Sequence, residues 1–372
     1  MPQSSPRIPE SPSYHSVPEI DQQEPAFNPV RGFGKGPSQA DKNGFVLRLA
    51  VFCQRIKSAE DRPLDAGHHL SNEGIRLVSR LYDFMQARID ACPTTVAEGE
   101  TPEPVNVARH RLAALMELNE ALATANPFAI LGIAAFAVLE VCDSAFGEWE
   151  CHLRGARSLL DYHCQNQPQL DRLSLKVTGL TEIVARLVWF DTMGAVVRGA
   201  TGLIFDDWHR DMLNDSFFDV VGCAGDTFQL YSDVAKGGVA VDPMGSCFRA
   251  MDQLLKLDSH ATDWTQSANI NRCAAALAVL EKMTEDTAVM RRHEAILSAV
   301  NRICQLIASA TPSSPFYIHM ASAVHLAGMN ATTAQHCVTV RAYWQGCNLA
   351  DVPRYPGGLS RCEDEWRARG LL

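Results

Sequence analysis

The chain has 372 residues, of which 47% are hydrophobic, and its formal net charge is −10. This apolar content excludes a wholly disordered chain, because it is enough to form a large core. The acidic balance argues against a nucleic-acid-binding protein, since phosphate repels negative charge and few cations remain to neutralise it.

Residues 1–40 differ in composition from the rest of the chain. They hold eight of the 19 prolines and show almost no apolar periodicity. Such a segment cannot bury enough surface to offset its chain entropy, so we expect it to be disordered. The glycine-rich run at 32–36 is interpreted as a linker rather than a phosphate-binding loop, because no strand precedes it and Pro37 follows at once.

From residue 41 onwards the apolar residues recur with a period near 3.6, which indicates helices. The pattern and its breakers predict helices at 41–57, 72–92, 105–124, 128–146, 148–165, 176–199, 217–235, 246–258, 266–283, 286–309, 315–328, 331–347 and 359–369. The stretch 200–208 is expected to be a packed loop. The sequence therefore predicts an all-α domain over 41–372. It would be a large irregular bundle, or stacked helix pairs, of about a dozen helices with a soft subdivision near 240.

The chain shows no recognisable metal or cofactor motif. Its 12 cysteines contain no C-x-x-C pair, and we expect reduced, buried thiols. The sequence H-E-x-x-H is absent, His152 and His163 are three helical turns apart, and His319 and His325 fall on different helix faces. We therefore expect neither a cofactor nor a metal. No secretory signal or membrane-length apolar stretch is seen, which predicts an intracellular protein that contacts no membrane.

Two segments carry most of the sequence information. In Glu148 to Cys164, the residues Trp149 and His152 share one apolar stripe with several leucines, and the adjacent small residues Gly155 and Ala156 predict a close helix approach. In Ile183 to Arg198 the helix is apolar nearly all round and should be central. Its charges include Asp191 and Arg198, seven positions apart. They could form a structural ion pair within the bundle, or they could be polar contacts in a ligand cavity.

A third short stretch, Asp206-Asp207-Trp208-His209, has two possible interpretations. It could be a turn that caps the next helix, which we favour, or an acid/base site with His209 as a member. The tryptophans are expected to be packing residues, of which a subset could line a pocket. The candidate pocket residues are therefore Trp149, His152, Trp189, Asp191, Arg198 and His209, and no catalytic residue is assigned.

The W-x-x-H-L-x-G-A-x-x-L-L pattern, formed here by Trp149, His152, Leu153, Gly155, Ala156, Leu159 and Leu160, resembles that of fungal-specific transcription factors. It is similar to their helical regulatory region, the middle homology region that follows a zinc-cluster DNA-binding domain. Phe190-Asp191, the Gly222-Cys223 pair and the final Glu365-Trp366 fit the same order. The resemblance covers roughly residues 45–372. It implies a helical scaffold that receives a signal from a small molecule or a protein partner.

The chain departs from that family in one respect. A zinc cluster needs six closely spaced cysteines, and the first cysteine here is Cys53. DNA binding through a zinc cluster is therefore not carried over. The resemblance favours a regulatory protein that acts through a protein partner or a small molecule and would be nuclear.

The alternative is a cytoplasmic, cofactor-free enzyme of fungal secondary metabolism. It would be an isomerase, cyclase or pericyclase that holds an apolar metabolite in the cavity of the same scaffold. An exposed apolar patch would favour the regulator. A closed cavity with converging polar groups would favour the enzyme.

Overall fold

The structure is a computed structural model that describes residues 72–91, 104–143, 149–177, 179–200, 202–259, 262–283, 289–349 and 356–372. In these residues it contains sixteen α-helices, one short 3₁₀ helix and no strand, which confirms the predicted all-α class. The helix expected at 41–57, Cys53, the glycine-rich run at 32–36 and the boundary near residue 40 lie outside the described residues.

The α-helices are numbered in chain order. They are α1 (Asn72–Asp90), α2 (Val105–Ala123), α3 (Ala129–Asp143), α4 (Trp149–His163), α5 (Gln167–Ser174), α6 (Leu180–Arg198), α7 (Asp207–Asp211), α8 (Asp215–Val221), α9 (Gly225–Ala235), α10 (Gly238–Val241), α11 (Pro243–Leu255), α12 (Asp263–Lys282), α13 (Val289–Ala308), α14 (Ala321–Met329), α15 (Ala334–Leu349) and α16 (Pro356–Ala368). The 3₁₀ helix, Tyr317–Met320, leads directly into α14. None of the described helices is long and apolar enough to cross a membrane.

Two helices organise the core. Helix α6 contacts α3, α4, α5, α7, α9 and α14, whereas α12 contacts α9, α10, α11, α13 and α14. Both are buried over most of their length, as expected for helices without a polar face. Elsewhere helices that follow one another in sequence pack side by side, as α1 does with α2 and α3 with α4. The fold is therefore a set of helix pairs around two central helices.

Several helix starts follow from residues that cap free backbone N–H groups. The side chains of Asn166, Asn214, Asp242 and Thr262 accept hydrogen bonds from the first turns of α5, α8, α11 and α12. Pro243 is the first residue of α11, directly after α10 ends, and its missing N–H costs nothing in this position.

The structure corrects two expectations. The continuous helix predicted at 217–235 is split into α8 and α9, because Gly222 has φ +63°, a left-handed conformation that ends a helix. Of the small pair at which a close helix approach was expected, Ala156 is fully buried, whereas Gly155 is exposed and a Cβ there would be 4.0 Å from the nearest atom, in Ile133. The tight contact lies instead at Gly194 of α6, where a Cβ would overlap the indole of Trp149.

Candidate functional site

Helix α6 carries three of the six candidate residues, Trp189, Asp191 and Arg198. The helix begins after Gly179 and ends at Gly199, both of which have left-handed backbone conformations. Its burial on almost all sides agrees with the sequence-based expectation of a central helix. The functional question is therefore whether the polar groups of α6 converge on a common cavity.

Asp191 holds a loop in place. Its carboxylate, only 2% exposed, accepts the backbone N–H groups of Ile204 and Phe205 over 2.9–3.1 Å. Burial raises the pKa of Asp191, while these two N–H groups act in the opposite direction. Of the two roles left open, this is a structural one, but the partner is backbone rather than Arg198.

Arg198 and Trp149 form a second, separate group. The guanidinium of Arg198 lies 5.0 Å from the centre of the Trp149 ring, and its Nη2 is 3.5 Å from Glu150 Oε2. The expected Asp191–Arg198 ion pair is therefore not formed. The Trp149 ring lies against Gly194, so it fills space between α4 and α6.

The remaining residues of α4 and α6 also have structural partners. His152 Nε2 is 2.8 Å from Glu140 Oε2 of α3, which joins α3 to α4. Trp189 stacks on Phe228 of α9 with ring centres 5.5 Å apart and meets the edge of Phe217 at 6.3 Å. These contacts anchor helices to each other.

His209 lies in the short helix α7, close to the acidic residues Asp206 and Asp207. Its imidazole is fully buried and stacks on Trp208. Arg157 Nη1 is 3.2 Å from His209 Nδ1, and because arginine only donates, Nδ1 accepts and the proton is on Nε2. That Nε2 has no hydrogen-bond partner among the described residues. Burial, with the nearby Arg157 charge, lowers the pKa of His209 to about 4, so the ring is neutral at pH 7.

The carboxylates of the same loop pair with cations. Arg157 binds Asp206 at 2.5 Å and Asp161 at 2.9 Å. Asp207 pairs with Arg210 and with Lys236, and these hydrogen bonds lower the pKa of Asp207 to about 2. A short helix does begin here, as the favoured capping interpretation predicts, but the Asp206 side chain contacts Arg157 rather than the helix N–H groups.

An open cleft of about 510 Å³ lies above this loop. Its walls are formed by Leu203, Phe205, Asp206, Asp207, Trp208, Arg210 and Lys236. In its walls Asp207 pairs with Arg210 and Lys236, and Asp206 pairs with Arg157, whereas the buried His209 is not among the lining residues.

The six candidate residues thus lie in four separate structural settings. Asp191 and His209 hold the loop at 202–211, Trp149 and Arg198 pack between α4 and α6, His152 joins α3 to α4, and Trp189 belongs to an aromatic core. Within the described residues no three histidine, cysteine or acidic side chains come together as metal ligands.

The feature that the sequence analysis missed is the outer face of α11. Met244, Phe248, Met251 and Leu255 are 66%, 63%, 54% and 84% exposed, whereas the inward residues Ser246, Ala250 and Gln253 are buried. We call the four exposed side chains the α11 outer face. The signal was present in the sequence as large apolar residues at spacings of four, three and four, but that period also describes an ordinary buried helix face.

The orientation of α11 is fixed by hydrogen bonds on its inner side. Gln253 accepts from Thr227 at 2.6 Å and donates to Asp226 at 3.2 Å. Lys256, one residue past the helix, pairs with Asp226 at 2.7 Å. Because these polar contacts hold the inner face against α9, the apolar side chains are directed to solvent. Contiguous exposed apolar surface of this kind is typical of protein–protein interfaces.

Comparison with protein-family models, with curated proteins and with solved structures gives no match for this chain.

Proposed function

We propose that this protein is a regulatory protein that acts by binding another protein chain through the α11 outer face, and not by catalysis. It would work in the nucleus as a co-regulator or a titrating subunit. The observation that carries the proposal is the α11 outer face: four large apolar side chains directed to solvent on a helix whose polar side is held inward.

The energetic argument rests on the hydrophobic effect. Each large apolar side chain that leaves water contributes about 1.5–3 kcal/mol, so four on one helix face favour association with an apolar partner. The spacing of four, three and four places these side chains in one row, which suits a partner helix. The net charge of −10 also fits a protein partner better than a nucleic acid.

The enzyme alternative has less support. It requires a cavity whose polar groups are free to act on a substrate. The cleft next to α7 is open, and the Asp207 carboxylate in its wall is held by ion pairs to Arg210 and Lys236. The alternative therefore serves here as one outcome of the functional test.

The test replaces the native gene by a Met251→Glu variant and measures transcripts of the neighbouring genes together with the small-molecule profile. A charge in the outer face should prevent docking without disturbing the fold, because Met251 contacts solvent. Val338→Glu is the matched control, since Val338 is 53% exposed on α15, away from this face.

We expect grouped loss of transcripts with Met251→Glu and wild-type levels with Val338→Glu. Wild-type transcripts in the Met251→Glu strain, with protein present at normal levels, would contradict the proposal. Steady transcripts together with loss of one metabolite and accumulation of its precursor in a strain lacking the gene would instead support the enzyme.

A further inference from the structure

Two cations in the wall of the cleft beside α7 share a single carboxylate oxygen. Arg210 of α7 and Lys236, the residue that follows α9, both pair with Oδ1 of Asp207. The Lys236 Nζ lies 2.5 Å from that oxygen. Charged donors that converge on one point form an arrangement suited to a carboxylate, because hydrogen bonds between ionised groups are the strong ones. At present the chain supplies that carboxylate itself.

The cations are held more firmly than the carboxylate between them. The Arg210 side chain is only 7% exposed, and its Nη1 donates to the backbone carbonyl of Phe205 over 2.7 Å, which fixes the guanidinium. The Asp207 side chain is 69% exposed, so it can rotate into water at little cost in desolvation. A buried cation that loses its partner needs another anion in the same place. The site therefore favours exchange of one carboxylate for another.

Apolar side chains lie next to this pair of donors. Leu203, Phe205 and Trp208 line the same cleft, whose volume is about 510 Å³. Trp208 is half-buried and stacks on the ring of His209, which holds the indole in place. Apolar and aromatic walls with a few polar groups that fix orientation are typical of small-molecule sites, and the volume is in their range.

From this arrangement we infer that the cleft binds a small organic acid with an aromatic or apolar body, whose carboxylate replaces the Asp207 side chain between Arg210 and Lys236. The body of the ligand lies against Trp208, and the displaced Asp207 turns to solvent. The inference does not depend on the proposed function, because no residue that lines the cleft belongs to α11.

The charges in the wall favour an anionic ligand over a cationic one. A cation would join Arg210 and Lys236 around Asp207 as a third positive charge, which like-charge repulsion opposes. The neighbouring Asp206 is itself paired with Arg157 at 2.5 Å. An anion that replaces Asp207 leaves the charge at the two donors unchanged. The hydrogen bonds from Lys236 and Arg210 lower the pKa of Asp207 to about 2, so at pH 7 this side chain is a charged competitor for the ligand.

The experiment measures binding of 2-naphthoate to the full chain at pH 7 by isothermal titration calorimetry. The uncharged 2-naphthamide and the cationic 2-naphthylmethylammonium serve as probes with the same aromatic body. We expect saturable binding of 2-naphthoate. Binding of the other two probes should be at least about tenfold weaker, because tenfold corresponds to the loss of about one charge-assisted hydrogen bond.

Two variants with opposite expected effects test the position and the charge of the site. Asp207→Asn removes the competing charge and should tighten 2-naphthoate binding by about tenfold, whereas Lys236→Met removes a donor and should weaken it by about tenfold. Lys176→Met is the matched control, since Lys176 is exposed after α5 and does not line the cleft, and it should bind like wild type. Unchanged circular dichroism of each variant shows that it folds.

Three results would overturn the inference. The first is no saturable binding of 2-naphthoate, up to millimolar concentration, by either the wild type or Asp207→Asn. The second is equal binding of 2-naphthamide, which would mean that the carboxylate is not recognised. The third is weaker 2-naphthoate binding in Asp207→Asn, or equal loss in Lys236→Met and Lys176→Met, since either would place the ligand elsewhere. Transcripts that depend on Met251 are a separate readout, so failure here and failure of the proposed function are distinguishable.

Discussion

The loop at 202–211 and helix α11 differ in which kind of side chain they bury. The loop is held by buried polar groups, whereas α11 exposes large apolar ones. Around the loop, the chemically capable groups Asp191, Arg157 and His209 are buried or bonded to protein and hold the backbone in place. On α11, the residues usually found in a core, Phe248 and Met251, face solvent, while Gln253 is buried. Around the loop the polar groups serve stability, and in the proposed function the apolar surface of α11 binds the partner.

Replacing Asp191 by Ala should have the largest effect. The variant loses the acceptor for the N–H groups of Ile204 and Phe205, and hydrogen bonds to a charged group contribute about 1.5–3 kcal/mol each. We expect the free energy of unfolding to fall by about 3 kcal/mol in denaturant titrations. Asp191→Asn, which keeps one acceptor oxygen, should lose less. Equal stability of Asp191→Ala and wild type would mean that the loop is held by other contacts.

The stability of the wild-type protein should decline as the pH falls from 6.5 towards 4, in part because of His209. The unfolded imidazole has its ordinary pKa of 6.5, whereas the folded one has a pKa of about 4. Between these values the unfolded state binds more protons, so the stability due to His209 is present above pH 6.5 and is lost as the pH falls.

Replacing His209 by Gln should therefore flatten this pH dependence. Between pH 7 and pH 5 the loss of unfolding free energy should be about 2 kcal/mol smaller than in the wild type. His325, whose pKa burial also lowers to about 4, keeps the remaining slope in the same direction. Urea titrations at the two pH values measure the difference, and identical slopes for variant and wild type would contradict the assignment.

Alanine at two glycines should have effects of opposite sign. Gly194→Ala forces the Trp149 ring to move and should cost about 1–3 kcal/mol, the range for overpacking in a core. Gly155→Ala adds a methyl group where there is room and should gain up to about 1 kcal/mol from helix propensity. Thermal unfolding of both variants checks the pair; destabilisation by both would show that α4 tolerates no added volume at all.

Charges on the α11 outer face should have the smallest effect on the single chain. Met251→Glu should change the free energy of unfolding by no more than about 0.5 kcal/mol, because substitutions away from buried features rarely do more. The measurement belongs at concentrations low enough for the protein to be a single chain, since association adds apparent stability. A loss of several kcal/mol would mean that this face is covered by the chain itself.

The candidate site could be read from the sequence only in part. The helical period correctly identifies α4 and α6 and the inward positions of Trp149 and Leu153, because burial follows the spacing of apolar residues. The partners of Asp191 and Arg198 could not be read in this way. Asp191 accepts hydrogen bonds from a loop more than ten positions away, and Arg198 forms its ion pair with Glu150 of α4 instead of Asp191.

The exposure of the α11 outer face could not be predicted from the sequence either. Its row of Met and Phe has the period of a core-facing helix, but the packing of α11 on α12 and the hydrogen bonds of Gln253 to α9 place that row towards solvent. The all-α class and most helix positions follow from the sequence alone, since these depend on local periodicity and residue spacing. The tertiary structure decided which carboxylates are paired, which glycine is at a close approach and which apolar face is left open, because each depends on contacts between segments distant in the sequence.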